Sequence, residues 1–243
     1  MDYRKWDTMR NIAIITARGG SKRIPGKNKK DFCGKPIICY SIEAALKSGI
    51  FDEVMVSTDD DTIARIAKEA GASVPFMRSA ATADDHTTTD EVLAEVLAEY
   101  KKLGKEFDTM VCLYPTAPFI TAERLKEAYE KLKSSGAAQL MPVVPFSFPP
   151  QRGVISKDGR VSYREPQYRL TRSQDLEPIY HDCGQFYFYD VEKFVDPKIN
   201  QDDDMTYIVL DEMEVQDIDN ETDWRLAELK YRLLNEIGGS CKA

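Results

Sequence analysis

The chain has 243 residues, of which 42% are hydrophobic and 30% charged, and its formal net charge is −8. The acidic balance argues against nucleic acid or an anionic membrane as the main partner, and no apolar run approaches the ~20 residues that span a bilayer. We therefore expect a soluble enzyme with a single domain over residues 1–243, long enough to bury a sizeable core.

The first half of the chain alternates predicted strands with predicted helices. Apolar runs predict strands at 11–16, 54–58, 74–77, 109–114 and 139–144, and amphipathic spacing predicts helices at 37–48, 61–70, 88–103 and 122–134. This order indicates an α/β fold with a mainly parallel sheet and helices on both faces. Ligands in such sheets bind beyond the carboxyl ends of the strands.

The second half begins with a change of composition. Five prolines interrupt residues 145–180, which we interpret as an inserted arm with a short β-like piece at 160–163. Parallel-sheet character returns at 184–189. A last strand is predicted at 214–218, and a helix at 221–236 completes the domain.

Residues 17–36, the basic loop, directly follow the first predicted strand. The loop carries seven cations against the single acid Asp31. The cations are Arg18, Lys22, Arg23, Lys27, Lys29, Lys30 and Lys35. Small residues leave backbone N–H groups accessible, as is typical of polyphosphate-binding loops: Gly19, Gly20, Ser21 and Gly26. The alternative is a solvated basic turn.

Two familiar phosphate motifs do not account for the basic loop. A Walker A loop needs GxxxxGK[ST], but five residues separate Gly20 from Gly26, and Asn28 follows Lys27. The dinucleotide fingerprint GxGxxG is absent as well. We therefore expect side-chain cations to hold the phosphates, an arrangement that stabilises a departing phosphate group in the transition state.

A phosphate site of this kind predicts a divalent metal ion held by acidic residues. Asp217 and Asp219 are two residues apart in a predicted extended segment, so both carboxylates would point to one face and could hold one hard cation. The alternative is that Asp219 or Asn220 caps the following helix. A second acidic run, residues 59–61, leads directly into a predicted helix and is interpreted as a cap.

Several motifs together resemble one family. They are ARGGSKRIPGKN at 17–28, VSTDDD at 56–61, YPTAPF at 114–119 and VQDID at 215–219. Over nearly the whole chain, this pattern resembles the cytidylyltransferases that activate nonulosonic acids, the nine-carbon sugars similar to sialic acid, with CTP. The resemblance implies a Rossmann-like sheet of the nucleotide-diphospho-sugar transferase type. It also implies transfer of CMP to the anomeric hydroxyl with release of pyrophosphate, a Mg²⁺ cofactor, and a homodimer formed through the arm.

The resemblance also assigns roles to individual residues. Those implied in nucleotide binding are Ala17, Arg18, Gly19, Gly20, Ser21, Lys22, Lys27, Asn28, Arg78 and Thr89. Those implied in sugar binding are Tyr114, Thr116, Arg172, Gln185, Phe186 and Tyr187. Arg18, Lys27 and Asp217 are implied as catalytic residues. Asp217 and Asp219 match the metal pair.

Residue chemistry leaves two of the sugar-binding roles open. A sugar carboxylate needs a cation, and Arg172 is the natural bidentate partner, but a surface ion pair with Asp175 or Glu177 is an equal alternative. Phe186 and Tyr187 point to opposite faces of a strand, so one of them is expected in the core.

Within the family, the pattern is most similar to the enzymes that use pseudaminic acid. Tyr114 stands where the N-acetylneuraminate enzymes have Gln, and the segment YHDCGQFYFYD at 180–190 fits the same branch. The alternatives are the same reaction on N-acetylneuraminate, legionaminate or the eight-carbon Kdo. A non-catalytic nucleotide-binding relative is the alternative from another class.

The cysteines indicate a reducing compartment. There are five, an odd number without a CxxC pair, so we expect free thiols and no zinc site. The start of the chain, MDYRKWDTMRN, lacks the apolar stretch of a secretory signal, which favours a cytoplasmic protein. The two histidines, His86 and His181, are not expected to act as bases.

Overall fold

A computed structural model of the protein describes residues 10–84 and 87–240, with side chains as far as residue 236. Its strands are β1 (Asn11–Thr16), β2 (Asp31–Phe32), β3 (Lys35–Pro36), β4 (Glu53–Ser57), β5 (Thr109–Leu113), β6 (Gln139–Pro145), β7 (Val154–Lys157), β8 (Arg160–Tyr163), β9 (Tyr180–Asp182), β10 (Phe186–Asp190) and β11 (Met205–Val209). Its helices are α1 (Ile38–Ser48), α2 (Asp61–Glu69), α3 (Thr89–Lys102), α4 (Ala122–Ser135), α5 (Val191–Val195) and α6 (Glu221–Ser240). His86 lies outside the described residues.

The central sheet is mixed. Its strand order is β11-β6-β10-β5-β1-β4, and β9 also pairs with β6. β1 is parallel to β4 and β5, and β11 is parallel to β6, whereas β10 runs antiparallel to both of its neighbours. β1, β4, β5, β6 and β11 therefore point one way, which confirms the predicted Rossmann-like α/β fold.

Alternation along β1 builds a core on each face of the sheet. Ala13 and Ile15 belong to the core that contains α1, α2 and α4, whereas Ile12 and Ile14 belong to the core that contains α3. All four side chains are fully buried. Because both faces are covered, β1 is a continuous apolar run, and burial of each large side chain contributes about 1.5–3 kcal/mol.

Local capping sets the helix starts that lie next to the strand ends. Asp60 accepts the N–H groups of Thr62 and Ile63 at the start of α2, which confirms its interpretation as a cap. Thr88 and Glu91 form a reciprocal capping box at the start of α3. This second cap fixes Thr89 as the first residue of its helix.

A third apolar cluster joins α6 to the basic loop. Trp224 of α6 packs edge-on against Phe32, with ring centroids 5.5 Å apart, and Ile218 is buried in the same cluster. The Lys30 ammonium lies 4.4 Å from the centre of the Trp224 ring. α6 therefore holds the chain segment that precedes it, including Ile218, against the basic loop.

The predicted arm contains a hairpin with exposed apolar side chains. β7 and β8 pair antiparallel, and Asp158 and Gly159 between them have φ values of +51° and +73°. Positive φ at both central residues is the geometry of a two-residue hairpin turn. All residues of the two strands are exposed, including Val154, Ile155 and Val161. The hairpin therefore buries little of its own surface within one chain.

Two predicted strands are in the wrong place. In the described stretch at 74–77 no strand forms, and a single bridge from Ser73 to Met55 is found instead. The predicted last strand at 214–218 is absent, because Glu214 ends a 3₁₀ turn (Glu212–Glu214) and residues 215–218 lie outside the sheet. The edge strand is β11 instead. A search for apolar runs does not find β11, because most of its side chains are exposed.

One predicted strand has the opposite direction. β10 was expected to add parallel character, but it pairs antiparallel with β5 and β6. A strand that is buried on both faces has the same apolar pattern in either direction, so the sequence does not specify its polarity. None of the described helices is long and apolar enough to cross a membrane.

Candidate active site

A cavity of about 590 Å³ opens beyond the carboxyl ends of β1 and β5. Its lining comes from the basic loop, from the segment between Arg78 and Val92, and from the turn after β5. The predicted ligand-binding residues that line it are Arg18, Ser21, Lys22, Lys27, Asn28, Arg78, Thr89, Tyr114 and Thr116. The fold thus brings together residues from three distant segments that were predicted to bind one nucleotide and its acceptor.

Local geometry sets the shape of the basic loop. Gly26, in the left-handed region at φ +64°, begins a 3₁₀ turn over Lys27–Lys29. The buried Asn28 amide donates to the Arg18 carbonyl, with Nδ2 and O 2.9 Å apart. Asn28 therefore ties the two ends of the phosphate-binding part of the loop together.

Gly19 lies against the acidic turn after β4. Its N–H donates to Asp59 Oδ1 at 2.8 Å, and a Cβ at Gly19 would meet the Asp60 Cβ at 2.9 Å. Gly20 has open space around its Cα, and Ala17 is buried at the end of β1. Gly19 is thus required for the close approach of two segments, whereas Gly20 leaves room at the loop surface.

The seven cations of the basic loop divide into two groups. Three of them lie outside the cavity lining and form ion pairs with acids that are also outside it: Lys29 with Asp60 (2.7 Å), Lys30 with Glu221 (2.7 Å) and Lys35 with Glu43. The other four line the cavity: Arg18, Lys22, Arg23 and Lys27. The number of cations in the loop therefore overestimates how many can bind phosphate, because three of them anchor the loop to other parts of the chain.

Lys27 connects the basic loop to Asp217 and Asp219, which we call the acidic pair. Its Nζ donates at 2.6 Å to the carbonyl of Ile218, the residue between Asp217 and Asp219. Burial lowers the pKa of the Lys27 ammonium, and the two carboxylates oppose this effect. Burial raises the pKa of Asp217, and the charge of Asp219 adds to the increase. The two acids therefore repel each other in a partly desolvated site.

The helix cap of α6 does not involve the Asp219 carboxylate. Asn220 Oδ1 accepts the N–H groups of Thr222 (2.8 Å) and Asp223 (3.0 Å), so Asn220 is the capping residue. The Asp219 carboxylate instead pairs with Arg23 at the cavity, with Oδ2 and Nη1 2.6 Å apart. The capping alternative therefore applies to Asn220 and leaves Asp219 available for another role.

The acidic pair fits the chemistry of Mg²⁺. Asp217 and Asp219 offer hard oxygen ligands, and a divalent cation would relieve their mutual repulsion. Within residues 10–84 and 87–240, no group of three or more His, Cys, Asp or Glu side chains forms a metal site. Additional ligands would come from water and substrate phosphates, as is usual for Mg²⁺ in nucleotide sites.

A second cavity, of about 420 Å³, includes Asp217 in its wall. Sequence reasoning missed its other polar side chains, which are Ser147, His181, Asp182, Glu212, Gln216 and Lys230. They come from four separate segments, so no local spacing marks them. The residues missed in the first cavity are Thr82, Asp84, Thr87 and Thr88. The concentration of hydroxyls in that stretch is a signal that could have identified them.

A family model described as cytidylyltransferase matches residues 12–193. The chain belongs to the cytidylyltransferase family. A pseudaminic acid cytidylyltransferase of Campylobacter jejuni is 38% identical to it over 94% of this chain and 99% of the relative. A CMP-N,N'-diacetyllegionaminic acid synthase of Legionella pneumophila is 35% identical over 94% of this chain and 99% of the relative.

Solved structures resemble this cytidylyltransferase in fold. A CMP-2-keto-3-deoxy-manno-octonic acid synthetase complexed with CTP superposes with a TM-score of 0.65 and 19% identity, over 93% of this chain and 99% of the other. A 4-diphosphocytidyl-2C-methyl-D-erythritol synthase of Anaerococcus prevotii gives a TM-score of 0.63 and 15% identity, over 92% and 99%. These likenesses agree with the predicted nucleotide-diphospho-sugar transferase type of fold.

In this cytidylyltransferase the predicted sugar-binding residues are divided between the cavity and other places. Tyr114 lines the first cavity and packs edge-on against Tyr187, with centroids 5.6 Å apart. Arg172 is exposed on the arm and forms a two-bond fork with Asp175, with Nε and Oδ2 2.7 Å apart. Within one chain, Arg172 therefore adopts the surface ion pair that was the alternative.

Gln185 and Phe186 have structural roles in the cytidylyltransferase. Gln185 is 2% exposed, and its Nε2 donates to the Glu214 carbonyl at 2.7 Å. Phe186 is fully buried in the core with Phe188. Neither residue lines one of the two cavities, and neither does Tyr187. Strand alternation places Phe186 in the core on one face of the sheet and Tyr187 in the core on the other face.

Two substitutions separate the helix cap from the acidic pair. Asn220→Ala should lower the free energy of unfolding by ~1 kcal/mol, the usual cost of losing a helix cap. Asp219→Ala should change it by less than ~0.5 kcal/mol, because its partly exposed ion pair with Arg23 contributes little. Urea unfolding followed by circular dichroism measures both values. An equal loss in the two variants would contradict the assignment of the cap to Asn220.

Proposed function

We propose that this cytidylyltransferase transfers CMP from CTP to the anomeric hydroxyl of pseudaminic acid and releases pyrophosphate. The observation that carries the proposal is the first cavity, in which the loop cations and Tyr114 share one space and Lys27 reaches the acidic pair. Similarity to the pseudaminic acid cytidylyltransferase of C. jejuni supports the same sugar. A two-function relative of Helicobacter pylori, named as pseudaminic acid cytidylyltransferase and hydrolase, is 35% identical over 92% of this chain and 43% of its own length.

The cavity cations are suited to a reaction in which pyrophosphate leaves. A sugar oxygen would bond to the α-phosphorus of CTP while the bond from that phosphorus to the bridging oxygen breaks. Arg18, Lys22 and Lys27 would contact the phosphates, and positive charge there stabilises the departing pyrophosphate. Lys27 is partly buried, so its interaction with the developing charge is less screened than it would be in water.

We infer that the acidic pair holds Mg²⁺ during the reaction. Asp217 and Asp219 would supply two carboxylate ligands, and Lys27 would neutralise part of their charge in the metal-free protein. When bound, a divalent cation would offset phosphate charge and make a coordinated hydroxyl easier to deprotonate. The second cavity, whose wall includes Asp217, is the space that we assign to part of the sugar.

The second candidate is the same reaction on legionaminic acid. The L. pneumophila relative, named as CMP-N,N'-diacetyllegionaminic acid synthase, is 35% identical over a similar share of this chain. Tyr114 favours pseudaminic acid over N-acetylneuraminate in the proposal, because a phenol replaces the amide that the resemblance associates with N-acetylneuraminate.

We also propose that the arm forms a homodimer. Its apolar side chains Val154, Ile155 and Val161 are more than half exposed, as are Phe148 and Leu170 near the hairpin. A second copy that covers these side chains would remove apolar surface from water, which is favourable at about 25 cal/mol per Å². The arm of the second copy would also offer Arg172 a partner other than Asp175.

The described cysteines fit the proposed cytoplasmic location. Cys33, Cys39, Cys112 and Cys183 are free thiols. Burial raises the pKa of the Cys112 and Cys183 thiols to about 12, so neither is a reactive thiolate at neutral pH. Unpaired, unreactive thiols are usual where the surroundings are reducing.

Removing one cavity cation or one acid should stop catalysis without unfolding the protein. Arg18→Ala and Asp217→Asn should each lower pyrophosphate release from CTP and sugar by ~10²-fold or more. Arg18→Ala removes a positive charge that would stabilise the departing pyrophosphate, and Asp217→Asn removes a carboxylate of the proposed Mg²⁺ site. Lys35→Ala is the matched control from the same loop, since Lys35 pairs with Glu43 instead of lining the cavity. It should retain activity within about twofold. Near wild-type turnover in Arg18→Ala or Asp217→Asn would contradict the proposed catalytic roles.

A panel of acidic sugars identifies the acceptor. Pseudaminic, legionaminic and N-acetylneuraminic acids are supplied separately with CTP and Mg²⁺, and pyrophosphate release is recorded for each. We expect the highest kcat/KM with pseudaminic acid. A higher kcat/KM with either of the other sugars would show that the proposed acceptor is wrong, but it would still support the proposed cytidylyl transfer.

Sedimentation velocity tests the homodimer. At micromolar concentration the wild type should sediment as a dimer, and Val161→Glu should shift it towards monomer because a charge would be placed in the apolar interface. Lys157→Ala, on the neighbouring strand of the same hairpin, is the control and should remain dimeric. A monomeric wild type would contradict the proposed homodimer.

A further inference from the structure

Three side chains connect the two cavities, and we call them the aromatic bridge: Asp182, Tyr187 and Tyr114. Asp182 lines the second cavity and Tyr114 lines the first. Tyr187 Oη donates to Asp182 Oδ2 at 2.6 Å, and the Tyr187 ring packs edge-on against the Tyr114 ring at 5.6 Å. The position of a residue in one cavity is thus linked to a carboxylate in the other.

Asp182 is suited to hold a protein side chain rather than the sugar. Its Oδ1 accepts the N–H of Gly184 at 2.8 Å, so the tight turn at Gly184 (φ +60°) fixes the carboxylate. Its Oδ2 accepts the Tyr187 hydroxyl. Each oxygen therefore already has a protein donor, and the negative charge would repel the carboxylate of an acidic sugar.

The Tyr187 hydroxyl is a neutral hydrogen-bond donor at neutral pH. Burial strongly raises the pKa of its phenol, and the bond to Asp182 raises it further. The hydroxyl therefore remains protonated at neutral pH and continues to donate to Asp182. Its ring is 9% exposed and belongs to the core beneath β10 and β5, beside the Tyr114 ring.

Tyr114 has a fixed backbone and a side chain that depends on its neighbours. Its N–H donates to the Gln185 carbonyl at 2.9 Å, and its carbonyl accepts the Ser41 hydroxyl at 2.8 Å. Burial raises the pKa of its phenol, and the nearby side chains of Thr89 and Tyr187 act in the opposite direction. Loss of the Asp182–Tyr187 bond would leave the Tyr114 backbone in place and release one support of its ring.

We propose that Asp182 is a positioning residue that fixes the Tyr114 ring through Tyr187, and that the aromatic bridge thereby sets discrimination among nonulosonic acids. The inference rests on the proposed function, because it concerns the acceptor of the same reaction. The phosphate contacts are on the basic loop, outside the aromatic bridge. Sugar recognition should therefore depend on the bridge, whereas CTP recognition should not.

Tyr187→Phe is the decisive variant, because it keeps the buried ring and removes only the hydroxyl that binds Asp182. It should raise the KM for the preferred sugar about tenfold and lower the ratio of kcat/KM between the preferred and second sugars by a similar factor. The KM for CTP should stay within twofold. Tyr189→Phe removes a buried hydroxyl from the same face of the same strand, outside the bridge, and should change none of these values.

Variants of Asp182 test whether it acts through Tyr187. Asp182→Ala should reproduce the effects of Tyr187→Phe, and the double variant should be no worse than either, because both remove the same bond. Asp182→Asn keeps only one acceptor oxygen for the two donors, Tyr187 and Gly184, so its losses should lie between those of wild type and Asp182→Ala. Additive losses, an equal loss of CTP affinity, or unchanged discrimination in Tyr187→Phe would overturn the inference.

The same measurements separate this inference from the proposed function. If the wild type prefers another nonulosonic acid, the choice of pseudaminic acid fails, but lost discrimination in Tyr187→Phe still supports the aromatic bridge. If the wild type prefers pseudaminic acid and Tyr187→Phe discriminates equally well, the inference alone fails. Absence of turnover with every sugar in the panel overturns both.

Discussion

The packing of α6 against the basic loop is the contact on which the active site depends. Trp224 and Phe32 pack edge-on, and this contact holds the segment before α6 against the loop. As a result, the Lys27 ammonium lies 2.6 Å from the carbonyl of Ile218, although 191 positions separate the two residues. The acidic pair lies in chain that has no partner in the sheet, so this packing is what places it beside the phosphate-binding cations.

Ion pairs give the basic loop its shape within an acidic protein. Asp60 caps α2 and also pairs with Lys29, while Glu221 and Glu43 bind two further lysines from α6 and α1. Each such partly exposed pair contributes little to stability, but together they hold the loop to three helices. The cations that remain can then face the cavity, where partial burial strengthens their effect on a phosphate.

Sequence patterns predicted the elements best where local chemistry and burial agree. β1 and α1 have nearly the predicted bounds, because apolar alternation, helical spacing and the terminal Gly49 all indicate the same ends. The prediction missed β11 because this edge strand exposes most of its side chains. The predicted direction of β10 was wrong because a strand buried on both faces has the same apolar pattern whichever way it runs.

The candidate site shows the same division. The loop motif identified Arg18, Lys22 and Lys27, and all three line the cavity. Charge density alone could not tell them from Lys29, Lys30 and Lys35, because an ion pair with a distant helix depends on the fold. Residues of the second cavity come from four segments, and no spacing along the chain marks them.

By itself, the sequence determined the family, the α/β class and the segments that carry the phosphate and acidic groups, because short motifs and periodicity encode local chemistry. Only the tertiary structure decided that Lys29, Lys30 and Lys35 pair with acids outside the cavity, that Asn220 rather than Asp219 caps α6, and that Tyr187 joins Asp182 to Tyr114. These outcomes depend on contacts between residues far apart in the chain. Such contacts are set by how helices and strands pack, and no local sequence pattern specifies that packing.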